Sequence, residues 1–305
     1  MDRKEGRSGL FGLRLTHGLN RHGAAVSAVA PSALLVLVFV YGFAAWTGYI
    51  SLSASRMIPD FSFIGLDNYV RMWKSDRWLV AASNLVVFTL CYVAFSIAIG
   101  LLLAILLDQD IRVEGSLRTI FLYPVAVSLV VTGVVWKWLL NPGTGIEAFM
   151  HSLGFDGFDF GWIVDRDMAI YAVVLAAVWQ QAGFIAVLFS AALRGADDLV
   201  IDAARIDGAG PIRIYVSVVL PSIGPAFASA FVLLVAFALK MFDLVVVMTA
   251  QGPGYASALP ATFVFDMAFQ RNQLGVGSAA AISILAFAVL FVLPYVLIES
   301  RGRSR

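Results

Sequence analysis

The sequence predicts an all-α integral membrane protein of six transmembrane helices with both termini in the cytoplasm. Three observations carry that prediction. Of 305 residues, 60% are hydrophobic and 13% are charged, with a mean hydropathy of +0.87. The apolar residues gather into six stretches free of Asp, Glu, Lys and Arg. The basic residues favour alternate connections between those stretches. A soluble domain is about half apolar and about a quarter charged, so this chain lacks the charge to cover itself in water.

A spanning helix needs about 20 mostly apolar residues. The charge-free stretches run over 22–55, 78–107, 119–136, 168–193, 214–239 and 272–298. The third continues past Lys137 to Leu140, and the fifth past Lys240 and Asp243 to Met248. The first is too long for the apolar core of a signal peptide. It has Pro31 near its start, and Trp46 and Tyr49 near its end, where aromatic belts sit. With the N-terminus inside, thirteen Lys and Arg fall on the cytoplasmic side and six outside (Arg56, Arg71, Lys74, Arg77, Arg166 and Arg271). That asymmetry sets the orientation. The expected organisation is a cytoplasmic segment 1–23, a membrane domain 24–298 and a cytoplasmic tail 299–305. The outer segment 56–77 is expected to hold a short surface helix. The outer segment 141–167 is acidic, Gly-rich and aromatic.

Several chemistries are excluded or disfavoured. The formal net charge of +1 offers no nucleic-acid surface. Cys91 is the single cysteine, so there is no internal disulfide and no multi-cysteine metal site. The chain has no G-x-x-x-x-G-K-[ST] loop, no H-E-x-x-H and no G-x-S-x-G. Within the helices, Asp243 is the one carboxylate that the charge-free windows suggest for a proton-coupled carrier. Six spans are few for such a carrier.

The cytoplasmic connection 194–225 has a distinctive design. Asp197 or Asp198 starts a helix as its cap. Leu199, Ala203 and Ile206 then share one helical face at i, i+4 and i+7. Gly208 stops the helix in the left-handed conformation, and Pro211 prevents its simple continuation. A short amphipathic helix with small residues suits a groove on a partner. An ordinary helical loop lying on the membrane surface fits the same pattern.

Asp202-Ala203-Ala204-x-x-Asp207-Gly208-Ala209, followed by Tyr215, Val218, Leu220-Pro221 and Pro225, resembles the EAA signature of ABC importer permeases. Asp202 stands where the family usually has Glu, and Tyr215 where Phe is common. Arg118 to Pro124 with Trp136 to Pro142, and Phe242-Asp243-Leu244 with Thr249 to Gly254, resemble the maltose-type carbohydrate and glycerol-phosphate branch. In that second motif Gln251 replaces a usual glycine. The resemblance covers roughly 30–298. It implies a type I importer permease, a second homologous permease subunit, a cytoplasmic ABC ATPase dimer, an external binding protein and a sugar substrate. The implied location is a bacterial inner membrane. The chain itself would carry no cofactor and catalyse no covalent step, ATP and Mg belonging to the ATPase. The helix around 198–209 would be the coupling helix, with Asp202, Ala203, Ala204, Asp207, Gly208 and Ala209 at the contact. An ABC permease for a non-sugar solute and an ion-coupled carrier are the rival readings.

Polar residues inside helices are costly and mark pathways or interhelical bonds. Trp179, Gln180 and Gln181 in the fourth stretch either line a path or bond a neighbouring helix. Lys240 and Asp243, three apart in the fifth, are expected to share a face, as a mutual ion pair or as a polar pair beside the solute. Lys137 between two tryptophans reads as an interfacial anchor. His151 reads as solvated, and Cys91 as a small buried apolar residue. Gly275 and Gly277 are expected to permit close helix packing.

Overall fold

The structure, a computed structural model, describes residues 29–108, 114–195 and 198–302. Arg112, Asp197 and the segment 1–23 lie outside the described residues. Four helices are long and apolar enough to cross a membrane: α1 (Val29–Ser51), α3 (Asp76–Leu107), α7 (Ala169–Leu193) and α13 (Leu274–Gly302). The short helix α2 (Asp67–Trp73) occupies the predicted place between α1 and α3. Helical spans satisfy every interior backbone group within the segment, which lipid requires.

The third and fifth apolar stretches fold differently from the straight spans expected. The third is α4 (Glu114–Ala126) followed by α5 (Leu129–Leu139), and the described parts of the two lie at 100° to one another. Ser128 causes the break. Its backbone is extended (ψ 148°), and its Oγ caps α5 by accepting the Val131 N–H at 3.3 Å. Pro124 lies inside α4 just before that break. The fifth stretch is α9 (Ile212–Ser222) and α10 (Gly224–Leu239), bent by 66° between Pro221 and Pro225. The chain breaks again after Leu239 and resumes as α11 (Asp243–Thr249). Between the longer elements lie α6 (Ile146–Ser152), α8 (Asp198–Ile206) and α12 (Pro260–Phe265). Among the described residues the one β-type pairing is an isolated bridge between Ser53 and Phe63.

Helix α7 is the centre of the bundle, and most of its side chains are buried. Apart from Gln180, Gln181 and Ser190 it is apolar around its circumference, as a helix surrounded by others is. Small residues let its neighbours approach. A Cβ on Gly100 of α3 would sit 2.6 Å from the Ile185 side chain of α7. A Cβ on Gly183 would collide with the Phe121 carbonyl of α4. Gly275 and Gly277 behave as expected at the start of α13. Added Cβ atoms would meet Asn68 at 2.6 Å and Ala268 at 3.0 Å. By contrast the N-terminal half of α1 is exposed, and its C-terminal half packs on α13, where a Cβ on Gly48 would meet Ile282 at 3.9 Å.

The 250–257 segment is strained. Ala250, Gln251 and Tyr255 have φ of 49°, 76° and 68°, where side chains are rarely tolerated. Asn84 of α3 holds the segment by donating to the carbonyls of Ala256 (2.9 Å) and Ala258 (3.0 Å). Gln251 occupies the position where the resembling motif has glycine, and its Oε1 is buried without a hydrogen-bond partner. Gln251→Gly is therefore expected to stabilise the folded protein by about 1 kcal/mol, the order of a left-handed residue's cost. A thermal melt of the purified protein in detergent checks it, with the variant melting higher.

Candidate functional site

Helix α8 ends as its sequence dictates. Gly208 has φ +81°. Its N–H donates to the Arg205 carbonyl at 3.0 Å, and the Ala209 N–H donates to the Ala204 carbonyl at 3.0 Å. This pair of bonds is a Schellman stop, so the helix terminates sharply. Its two faces differ. Ile201 and Ala204 pack against the protein's core. Leu199, Ala203 and Ile206 point outward, with Leu199 78% and Ile206 86% exposed. Asp202 and Arg205 pair on the surface at 2.9 Å, and Asp207 is exposed beyond them. The helix thus presents an uncovered apolar stripe with a small residue at its middle, flanked by charge. Beneath it lies a cavity of about 480 Å³, where the Tyr215 hydroxyl reaches Asp108 Oδ2 at 3.4 Å.

A second cavity, of about 270 Å³, opens beside the break between α4 and α5. Gln180 and Gln181 line it with Tyr92, Phe184, Phe237 and Met241. Gln180 Nε2 donates to the Val127 carbonyl at 2.8 Å, satisfying a backbone group that the break set free. Gln180 Oε1 is buried with no partner. The cavity thus combines two glutamine side chains with aromatic walls, a combination that suits small polar ligands. Gln180 thus bonds the break between α4 and α5 and lines a cavity.

Trp179 is placed elsewhere. Successive helical residues point about 100° apart, so Trp179 leaves this cavity. It lines a separate one of about 560 Å³, with its ring 6.0 Å from that of Trp136. Gln180→Leu should lower the melting temperature by orphaning the Val127 carbonyl, at about 1–3 kcal/mol. Gln181→Leu should leave the melt unchanged. Thermal melts of both variants check this split.

Lys240 and Asp243 do not pair. Lys240 ends α10, and Asp243 begins α11 beyond the break, so helical spacing does not apply. Among the described residues they form no ion pair. The Lys240 ammonium lies 4.8 Å from the Phe237 ring centroid, next to the amide-lined cavity. Asp243 is exposed in the first turn of α11, where a carboxylate suits the helix dipole.

A comparison with protein-family models matches residues 96–304 to the "Binding-protein-dependent transport system inner membrane component" family. The chain belongs to this family. It is 34% identical over 277 residues to a probable ABC transporter permease protein of Pyrococcus horikoshii, covering 90% of this chain and 95% of that one. It is 32% identical over 266 residues to the xylose/arabinose import permease protein of Haloferax volcanii, covering 86% of this chain and 83% of that one. Among solved structures, a bacterial ABC transporter involved in the import of the acidic polysaccharide alginate has a chain of the same fold. The TM-score is 0.81 at 19% identity, over 94% of this chain and 99% of that one.

The ABC permease carries a polar cluster that sequence reasoning missed. Asp266, in the helical turn after α12, is 7% exposed and accepts from Arg77 at 2.5 Å and Arg271 at 3.1 Å. The Arg77 guanidinium stacks 3.8 Å over the Tyr255 ring. This cluster joins α3 to the strained 250–257 segment. The one local signal is an acid five residues before Arg271. Among the described residues no group of three or more His, Cys, Asp and Glu could hold a metal. His151 bonds the Phe158 carbonyl at 2.8 Å. Cys91 is partly buried against the core. Lys137 is exposed near the end of α5, beside exposed Trp138, as an anchor would be.

Proposed function

We propose that this permease imports a sugar or sugar-like solute as one of two homologous subunits. Each bent pair, α4–α5 and α9–α10, crosses the membrane as one broken span. The total is then six spans, with both termini in the cytoplasm of a bacterial cell. A separate ATPase dimer binds ATP and Mg, and α8 sits in its cleft through Asp202, Ala203, Asp207 and Gly208, while Ala204 and Ala209 pack on the body and hold the helix in place. An external binding protein delivers the solute. Closure of the ATPases drags α8, the bundle opens outward, and hydrolysis reverses the motion.

The observation that carries this reading is the uncovered Leu199–Ala203–Ile206 stripe on a sharply stopped helix. The opposite edge, Ile201 and Ala204, meets the body, so the stripe faces away from it. The amide and aromatic cavity supports a hydroxyl-rich solute, with Gln180 and Gln181 lining the path and Lys240 beside it through Phe237. The xylose/arabinose import permease among its relatives supports the same class. Trp179 and Asp243 lie off this cavity and carry no solute contact in the proposal.

The test is uptake by proteoliposomes holding the two permeases and the ATPase dimer, supplied with the binding protein. Sugar uptake that requires enclosed ATP and survives an uncoupler supports the reading. Uptake that proceeds without the ATPase and collapses with an uncoupler would establish the ion-coupled rival. Uptake of amino acids in place of sugars would leave the permease and change its solute.

A further inference from the structure

Helix α8 does not lie flush on the body. Ile201 and Ala204 pack against the core, with Ala209 just beyond the helix end, and beside them the cavity of about 480 Å³ stays open. Asp108 lines it from the end of α3, Asp202 and Arg205 from α8, and Tyr215 from α9. Asp202 and Arg205 hold each other at 2.9 Å. Across the cavity the Tyr215 hydroxyl is directed at Asp108 Oδ2, 3.4 Å away. That contact joins α9, the helix that follows α8, to the end of α3.

An O–H···O bond is strongest at about 2.8 Å, so at 3.4 Å this one is stretched. Asp108 is the C-cap of α3, where the helix dipole opposes a carboxylate. Tyr215 opens a π-helical turn, Tyr215–Val219, within α9, a feature frequent at functional sites. Its ring packs against the core, so the hydroxyl moves with α9. Phenylalanine is common at this place in the signature the chain resembles, and the hydroxyl oxygen is what tyrosine adds. One movement, α8 and α9 toward the end of α3, would shorten the bond and fill the cavity together.

We propose that Tyr215 is a positioning residue of the transport cycle, tying the motion of α8 to α3 through Asp108. The inference rests on the importer reading, in which the ATPase dimer presses α8 toward the body as it closes on ATP. The bond then reaches ordinary length, and a contact that is better in one state shifts the equilibrium toward that state. Helix α3 can carry the displacement. It is unbroken over 32 residues, about 48 Å at 1.5 Å per residue, and Gly100 lets it pack closely on α7. Its far end holds the Ala256 and Ala258 carbonyls through Asn84, and Asp266 through Arg77. A pull at Asp108 therefore reaches the strained 250–257 segment.

Tyr215→Phe is the test variant, because it removes one oxygen and leaves the ring in place. The two permeases with the ATPase dimer, in nanodiscs, are titrated with ATP while Mg is chelated, so that binding is read without hydrolysis. Tyr215→Phe should raise the half-saturating ATP concentration about fivefold, the scale of one net hydrogen bond. The amount of bound ATPase and the melting temperature should not change. Asp108→Ala should act like Tyr215→Phe, and the double variant should be no worse than either, because both remove the same bond. Asp108→Asn keeps an acceptor oxygen and should recover most of the affinity. Unchanged half-saturation in both single variants would overturn the inference and leave the importer reading standing. Effects that add in the double variant would overturn the tie, since the two residues would then act separately. A lower melting temperature with unchanged ATP binding would also overturn it and assign the pair to stability alone. A parent that retains no ATPase would overturn the importer reading, and this inference with it.

Discussion

Ile206→Lys is expected to abolish transport without harming the fold. Ile206 is 86% exposed at the last position of α8, so its replacement removes no buried contact. A cation at a helix C-terminus adds slightly to helix stability. The folded protein should melt within about 0.5 kcal/mol of the parent, the usual range for surface changes. The cost falls on the partner, which loses an apolar anchor and meets a charge in its place. A central anchor is worth about 2 kcal/mol or more, so ATPase retention should fall at least about 30-fold and uptake should reach background. The contrasting variant is Ile201→Lys, on the opposite face of α8, packed against the core. It places a charge against apolar neighbours, so it should melt lower and be recovered in smaller amount. If α8 were a loop resting on lipid, the two variants would not differ in this way. Expression, melting temperature and bound ATPase, measured on both, separate the cases.

Asp266→Ala is expected to cost stability of about 3–5 kcal/mol, because it strands a buried cation. Arg77 is 16% exposed, and its Nε and Nη1 already lack partners. Removal of the carboxylate takes away the bond at 2.5 Å and also the tie to Arg271 at 3.1 Å. The Tyr255 ring beneath the guanidinium cannot replace an anion. The 250–257 segment should then open, since Arg77 holds it through Tyr255 alongside the Asn84 bonds. The double variant Arg77→Met with Asp266→Ala should regain at least half of the loss, because an apolar replacement of both partners leaves no stranded charge. Thermal melts of the single and double variants, with limited proteolysis of the segment, check both statements.

The residues show why some of this was legible and some was not. The ends of α3 and α7 fall within two residues of the charge-free stretches, because charge is excluded from lipid and the helix follows that exclusion. The stop at Gly208 was legible because a positive φ selects glycine. The breaks at Ser128 and Ile223 were not, since hydropathy sums composition and is blind to direction. Ser128 after Pro124, and Pro221 with Pro225, were the local signs of a bend. The supposed Lys240–Asp243 pair failed for the same reason: an i, i+3 relation needs a continuous helix, and the chain breaks between them. Trp179 was grouped with Gln180 and Gln181 by adjacency, although 100° steps send it to another face. Asp266 was missed because its main partner, Arg77, lies at the start of α3, and no local pattern reports so distant a contact.

The central claim is that α8 seats this permease on an ATPase, and side-by-side purification tests it most directly. The parent and Ile206→Lys would each be co-expressed with the second permease and the ATPase, captured through a tag on this chain, and assayed for bound ATPase. The account predicts a full complement of ATPase with the parent and a loss of about 30-fold with Ile206→Lys, at equal melting temperature. Equal ATPase on both proteins would contradict it.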